Sequence, residues 1–215
     1  MLPKGPILSK SRMLLLVSLA GLALAGCERN PLLIQRSVCP AVAVPYYAGD
    51  VTLFAAGDTD RNANAVDTVA TITDLRGVCA EGADTLGTDV SFTVQARRTN
   101  TVGARVITLP FFASVVQGGN LLVSKQLGQV TLNFADGQAR AQAPGAAKAS
   151  VLRSAATLKP ELQARLSRKR KATDLDAMVD PMADPEIRAA VRASTFEVLV
   201  GFQLDDAALT YNVTK

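Results

Sequence analysis

The chain has 215 residues, with 23 Lys and Arg against 19 Asp and Glu, and neither histidine nor tryptophan. Without histidine it lacks the commonest general base and metal ligand, and the Ser-His-Asp and Cys-His nucleophile arrangements are excluded. Three of the charges behind its net +4 are Lys4, Lys10 and Arg12 at the extreme N-terminus, so the basic pI is no argument for nucleic-acid binding.

Those three cations precede an apolar run from Met13 to Leu24. A dozen residues are too few to cross roughly 30 Å of hydrocarbon as a helix, which takes about 20. They suit the apolar region of a secretory signal peptide. Small residues then converge on a cysteine in Leu24-Ala25-Gly26-Cys27. This stretch resembles the lipobox of bacterial lipoproteins. The resemblance implies cleavage before Cys27, diacylation of its thiol and further acylation of the new N-terminus. Two or more acyl chains give stable membrane anchoring where one gives only reversible binding. Residue 28 is Glu rather than the Asp that commonly retains such proteins in the inner membrane, which leans toward the outer membrane, facing the periplasm. Residues 1–26 are then a signal peptide and 27–38 a tether, leaving 39–215 as one domain.

With Cys27 lipidated, Cys39 and Cys79 remain. In an oxidising compartment two leftover cysteines usually pair. A Cys39–Cys79 disulfide would close a loop of about 40 residues, for which chain entropy suggests roughly 3–4 kcal/mol. The alternative is two buried thiols. No Cys-x-x-Cys spacing supports a redox role.

Residues 39–54 read as an extended segment, with Pro40 and Pro45 limiting it to a sheet edge. Tyr46 and Tyr47 form a ligand platform or cover the end of a core. Asp58, Asp60, Asn62 and Asn64 alternate as at the start of a calcium loop, but Ala63 and Val69 replace its later glycine and glutamate, which favours a solvated turn. Residues 65–79 are rich in β-branched side chains and read as a strand. Thr88 to Arg98 alternates strictly, with Val90, Phe92, Val94 and Ala96 on one face. Residues 105–117 and 121–134 make a hairpin around Gln117-Gly-Gly-Asn120. The Ala-rich stretch 138–150 reads as soft, with a further strand over 150–158.

Pro160 opens a short helix through Lys171, and Asp184-Pro185 caps and opens a second one to Ala193. Residues 195–204 return as a strand whose long-range pairing closes the fold, and 205–215 form a tail with Leu209 and Tyr211. Spaced strands and turns predict a mainly β, antiparallel two-sheet sandwich with a helical insertion at about 160–193. Spacing and the early cysteine pair loosely resemble immunoglobulin-like and fibronectin-type domains in architecture alone.

Arg165, Arg168, Lys169, Arg170 and Lys171 are the one strong charge cluster. It reads either as a patch touching anionic headgroups or an acidic partner, or as a solvated helix end neutralised by Asp174, Asp176, Asp180 and Asp184. Nothing in the spacing selects a catalytic carboxylate pair, although Asp58, Asp60 and Asp89 could assemble one in space. No cofactor is implied, and export argues against a nucleic-acid partner. The function expected is a non-catalytic structural or interaction module of the cell envelope, held to the membrane by its lipid and assisting an envelope protein. The alternative is a periplasmic binding module for a saccharide or lipid.

Overall fold

The period-two alternation of apolar and polar residues dictates strands with one buried face each, and these stack into two layers. The computed structural model describes residues 36–55, 61–171 and 173–215. Cys27, Asp58 and Asp60 lie outside the described residues. One sheet holds, in spatial order, β1 (Ala41–Ala43), β8 (Phe196–Phe202), β5 (Arg105–Gln117) and β6 (Leu121–Phe134). The other holds β2 (Asp50–Phe54), β3 (Val66–Glu81), β4 (Thr85–Arg98) and β7 (Arg140–Leu152). Pairing is antiparallel except between β1 and β8, which run parallel. The mainly β two-sheet sandwich is therefore the observed architecture, with β1 and β2, the two strands of the proline-bearing segment, both at sheet edges.

The core forms where the alternating faces meet. Val90, Phe92 and Val94 of β4 face Ile107, Leu109 and Phe111 of β5, flanked by Val130 and Leu132 of β6 and Val198 and Val200 of β8, all nearly inaccessible. At its centre Phe92 and Phe111 meet edge to face, with centroids 5.1 Å apart. Each ring lies over a glycine directly opposite it in its own sheet, Phe92 over Gly145 and Phe111 over Gly128. A Cβ at Gly145 would come within 2.3 Å of the Phe92 ring, and one at Gly128 within 2.4 Å of Phe111.

β3 carries a bulge between Thr73 and Arg76, with Asp74 in the left-handed region at φ 51°. The extra residue reverses which positions face inward. Before it Thr68, Ala70 and Ile72 are buried; beyond it Gly77 and Cys79 stand opposite the buried side of β4. Val42 of β1 fits over Gly77, where a Cβ would lie 2.3 Å from its Cγ2. Cys79 meets Cys39 in a disulfide with an S–S distance of 2.12 Å, fastening β1 of one sheet to β3 of the other.

Three elements differ from the sequence reading. The strand expected over 150–158 is β7, ten residues earlier, in the stretch read as soft. Its alanines suffice because β7 is an edge strand packing beside the large residues of β4, and Pro144 is tolerated there. Residues 153–156 instead make one helical turn, α1 (Arg153–Ala156). The first insertion helix, α2 (Pro160–Leu166), ends before the charge run, with Ser167 as its cap, so Arg168 to Lys171 lie past the helix. The tail is a helix, α4 (Asp206–Thr214), capped by the Asp205 carboxylate accepting from Ala208 N–H. The second insertion helix, α3 (Pro185–Ala193), is capped by Asp184 as the sequence predicts.

The insertion has its own small core of Leu158, Leu166 and Ile187 and docks on one end of the sandwich. Arg192 donates to Gly118 O at 2.9 Å in the β5–β6 hairpin. Arg36 reaches the same end, donating to Ala156 O at 3.0 Å and to Ser194 O, so the last residues of the expected tether already belong to the fold.

Two stability outcomes follow from this packing. Phe111→Ala should cost about 3–5 kcal/mol, read by denaturant unfolding. Cys39→Ser with Cys79→Ser should cost about 2–4 kcal/mol, measured in the same way, and reduction of the unsubstituted protein should reproduce that loss.

Candidate functional site

The helical insertion brings the basic cluster together with its acidic neighbours. Arg165 forms ion pairs with Asp184 and with Glu186, the latter at 2.6 Å. Arg168 pairs with Asp176, and Arg170 lies 3.5 Å from the same carboxylate. Hydrogen bonding from Arg168 holds the Asp176 carboxyl below its ordinary pKa. Among the described residues Lys169 and Lys171 are exposed and have no carboxylate partner. The five cations are thus two kinds of group: three arginines folded back onto the insertion, and two lysines directed to solvent.

Tyr46 and Tyr47 stand nearly perpendicular, at 87°, with Tyr46 88% exposed. The two rings meet edge to face with centroids 4.8 Å apart, so they share no common plane. Asp89 pairs with Lys148 at 3.2 Å on the outer face of its sheet. Among the described residues no cluster of three or more acidic or cysteine side chains could hold a metal ion.

A different site is built at the opposite end of the β2-β3-β4-β7 sheet, on its outer face. It begins with Arg98, which strand parity turns inward. Its side chain is 1% exposed. Nε donates to Gln138 O at 2.8 Å, and Nη2 donates to Thr101 O at 3.0 Å and to Ala135 O at 2.9 Å. The guanidinium also lies 5.1 Å from the centre of the Phe134 ring. Beside it Asp67 of β3 accepts a two-pronged pair from Arg105 of β5, at 2.9 and 2.6 Å, joining the two sheets. These contacts, chiefly the hydrogen bonds from Arg105, hold the Asp67 carboxyl below its ordinary pKa against the opposing effect of burial.

With Arg98 turned inward, Arg97 must face out. It stands in one row with Val69 of β3 and Arg140 of β7, its direct partners on either side. The next row outward-facing is Thr71, Gln95 and Gln142. Tyr211 of α4 walls the groove, together with Ala63 and Val66, leaving an open depression of about 860 Å³. Tyr211 is set there by the helix, whose buried Asn212 donates to Tyr47 O at 2.9 Å and Asp50 O at 2.8 Å. Its ring packs edge to face on Phe54 at 5.0 Å, and Arg61 lies 5.5 Å from the Phe54 centroid. Among the described residues neither Arg97 nor Arg140 has a carboxylate partner, since Asp67 is taken by Arg105.

Sequence reasoning missed this groove. Arg97 was legible only as a polar position on an alternating strand, Arg140 fell in a stretch not read as a strand, and Tyr211 was placed in a tail. The available signal was outward parity in both Arg97 and Arg140, which becomes informative once β4 and β7 are known to pair. No family model, curated protein or solved structure matches this chain.

Because the folded state lowers the Asp67 pKa, its pair with Arg105 is fully stabilising above the unfolded-state value, about 4, and is lost as pH falls through the lower folded value. Asp67→Asn should therefore destabilise the fold by about 1–3 kcal/mol at pH 7, and the gap between variant and parent in urea unfolding should close as pH is taken below 4.

Proposed function

We propose that this chain is a non-catalytic interaction module of the bacterial cell envelope, anchored by lipid on Cys27 and facing the periplasm from the outer membrane. The observation that carries the reading is the Leu24-Ala25-Gly26-Cys27 sequence behind its basic and apolar leader. The Cys39–Cys79 disulfide suits an oxidising compartment.

The polarity of the fold supports it further. Eight residues separate Cys27 from Arg36, so the nine backbone steps between them reach at most about 32 Å. Arg36 is bound between Ala156 and Ser194, the two ends of the helical insertion. An anchor at Cys27 therefore holds the insertion toward the membrane, with Lys169 and Lys171 available to anionic headgroups. Each such cation adds about 1 kcal/mol near an anionic surface. The groove lies at the far end of β4, roughly 40 Å away along a twelve-residue stretch of strand, and faces the aqueous space where an envelope partner would be met. The alternative of a periplasmic binding module for an envelope saccharide or lipid is favoured by that groove.

The test is made on the full chain expressed in a Gram-negative host. The protein should sediment with membranes, and its N-terminal peptide should carry the mass of acylated Cys27. Cys27→Ser should move it to the soluble fraction. An intact leader, or an unmodified sulfur at Cys27, would overturn the proposal.

A further inference from the structure

The geometry points to the groove on the outer face of the β2-β3-β4-β7 sheet as a binding site for an anionic saccharide, with Arg97 and Arg140 receiving its carboxylate or phosphate group. Those two arginines are direct cross-strand partners, and like charges placed so are unfavourable for the sheet. The nearby half-buried carboxylate of Asp67 is already paired with Arg105, whereas Arg97 and Arg140 have no carboxylate partner among the described residues. An anion bound between the two guanidiniums would relieve their repulsion and take charge-assisted, two-pronged hydrogen bonds from each.

The surroundings favour a sugar over a bare ion. The row beside the arginines presents the carboxamides of Gln95 and Gln142 and the hydroxyl of Thr71. These groups both donate and accept, which suits sugar hydroxyls. Tyr211 supplies an aromatic wall. An open groove of about 860 Å³ is larger than one ion needs and has room for a short oligosaccharide. The inference does not depend on the lipid anchor, because the groove is made wholly of residues within the fold.

The experiment is calorimetric titration of the full chain, purified in nonionic detergent, with tetragalacturonate, glucose 6-phosphate, maltotetraose, inorganic phosphate and a tetraglutamate peptide. Saturable binding of tetragalacturonate or glucose 6-phosphate is expected, and the tighter of the two identifies the acidic group as carboxylate or phosphate. Arg97→Gln and Arg140→Gln should each weaken it at least tenfold while leaving the melting temperature unchanged or higher, since each removes one of two like charges. Gln95→Ala should weaken sugar binding but not that of inorganic phosphate. Failure of both acidic sugars to bind, or equal binding by maltotetraose, would overturn the proposal. So would equal binding by inorganic phosphate or by tetraglutamate, which would indicate a simple anion site or an acidic peptide site. Asp58→Asn with Asp60→Asn should leave the affinity unchanged. A tenfold gain would identify those carboxylates as the arginines' own partners and overturn the proposal as well.

Discussion

Two phenylalanine rings meet between the sheets, and each rests on a bare backbone. Phe92 covers Gly145 and Phe111 covers Gly128, so each large side chain fills the space that its cross-strand neighbour leaves open. The arrangement joins four strands through one contact of 5.1 Å. It also fixes register: a slip of one residue in β6 or β7 would bring a side chain under each ring and turn the apolar face toward solvent. β7 especially depends on it. Its alanines bury little surface, and its place in the sheet is secured by the fit of Gly145 and by hydrogen bonding to β4.

The bulge in β3 has the next largest effect on how the layers are fastened. Strict alternation would carry Cys79 to the solvent face, away from Cys39. One additional residue near Asp74 reverses parity, directs Cys79 inward, and sets Gly77 beneath Val42. At the other end Arg98 and the Asp67–Arg105 pair hold the strand turns together by hydrogen bonds rather than by a covalent link. The sandwich is thus clamped at one end by sulfur and at the other by guanidinium groups. The groove stands over the second clamp, on backbone that these contacts make rigid.

Much of this architecture is readable from residue order where strands alternate cleanly. β4, β5 and β8 carry apolar side chains at most second positions, as does β6 from Val130 to Phe134, and the limits of all four strands lie within a few residues of those expected. β7 escaped because alanine says little about burial, and its strand character comes from β4 beside it. α4 escaped for a related reason. Tyr211 and Asn212 face the sheet, while Leu209 is 43% exposed, so its buried side lacks an apolar stripe. The bulge is a tertiary event with only Asp74 to mark it. The cationic groove needs β4 and β7 paired before Arg97 and Arg140 become neighbours, which no local pattern announces. The basic cluster was visible as charge, yet its division into paired arginines and unpaired lysines depends on how residues 174–186 fold back over it.

One further consequence lies in the pairing of β1 with β8. The first strand of the fold runs beside the last, with Ala41 opposite Glu197. Contacts so distant in the chain form late, because a long loop must close before they are gained. If the chain is exported N-terminus first, the sheet beginning with β1 stays incomplete until β8 has emerged. The polypeptide would then remain threadable through a translocation pore for nearly its whole length, and its finished shape would be reached only on the far side.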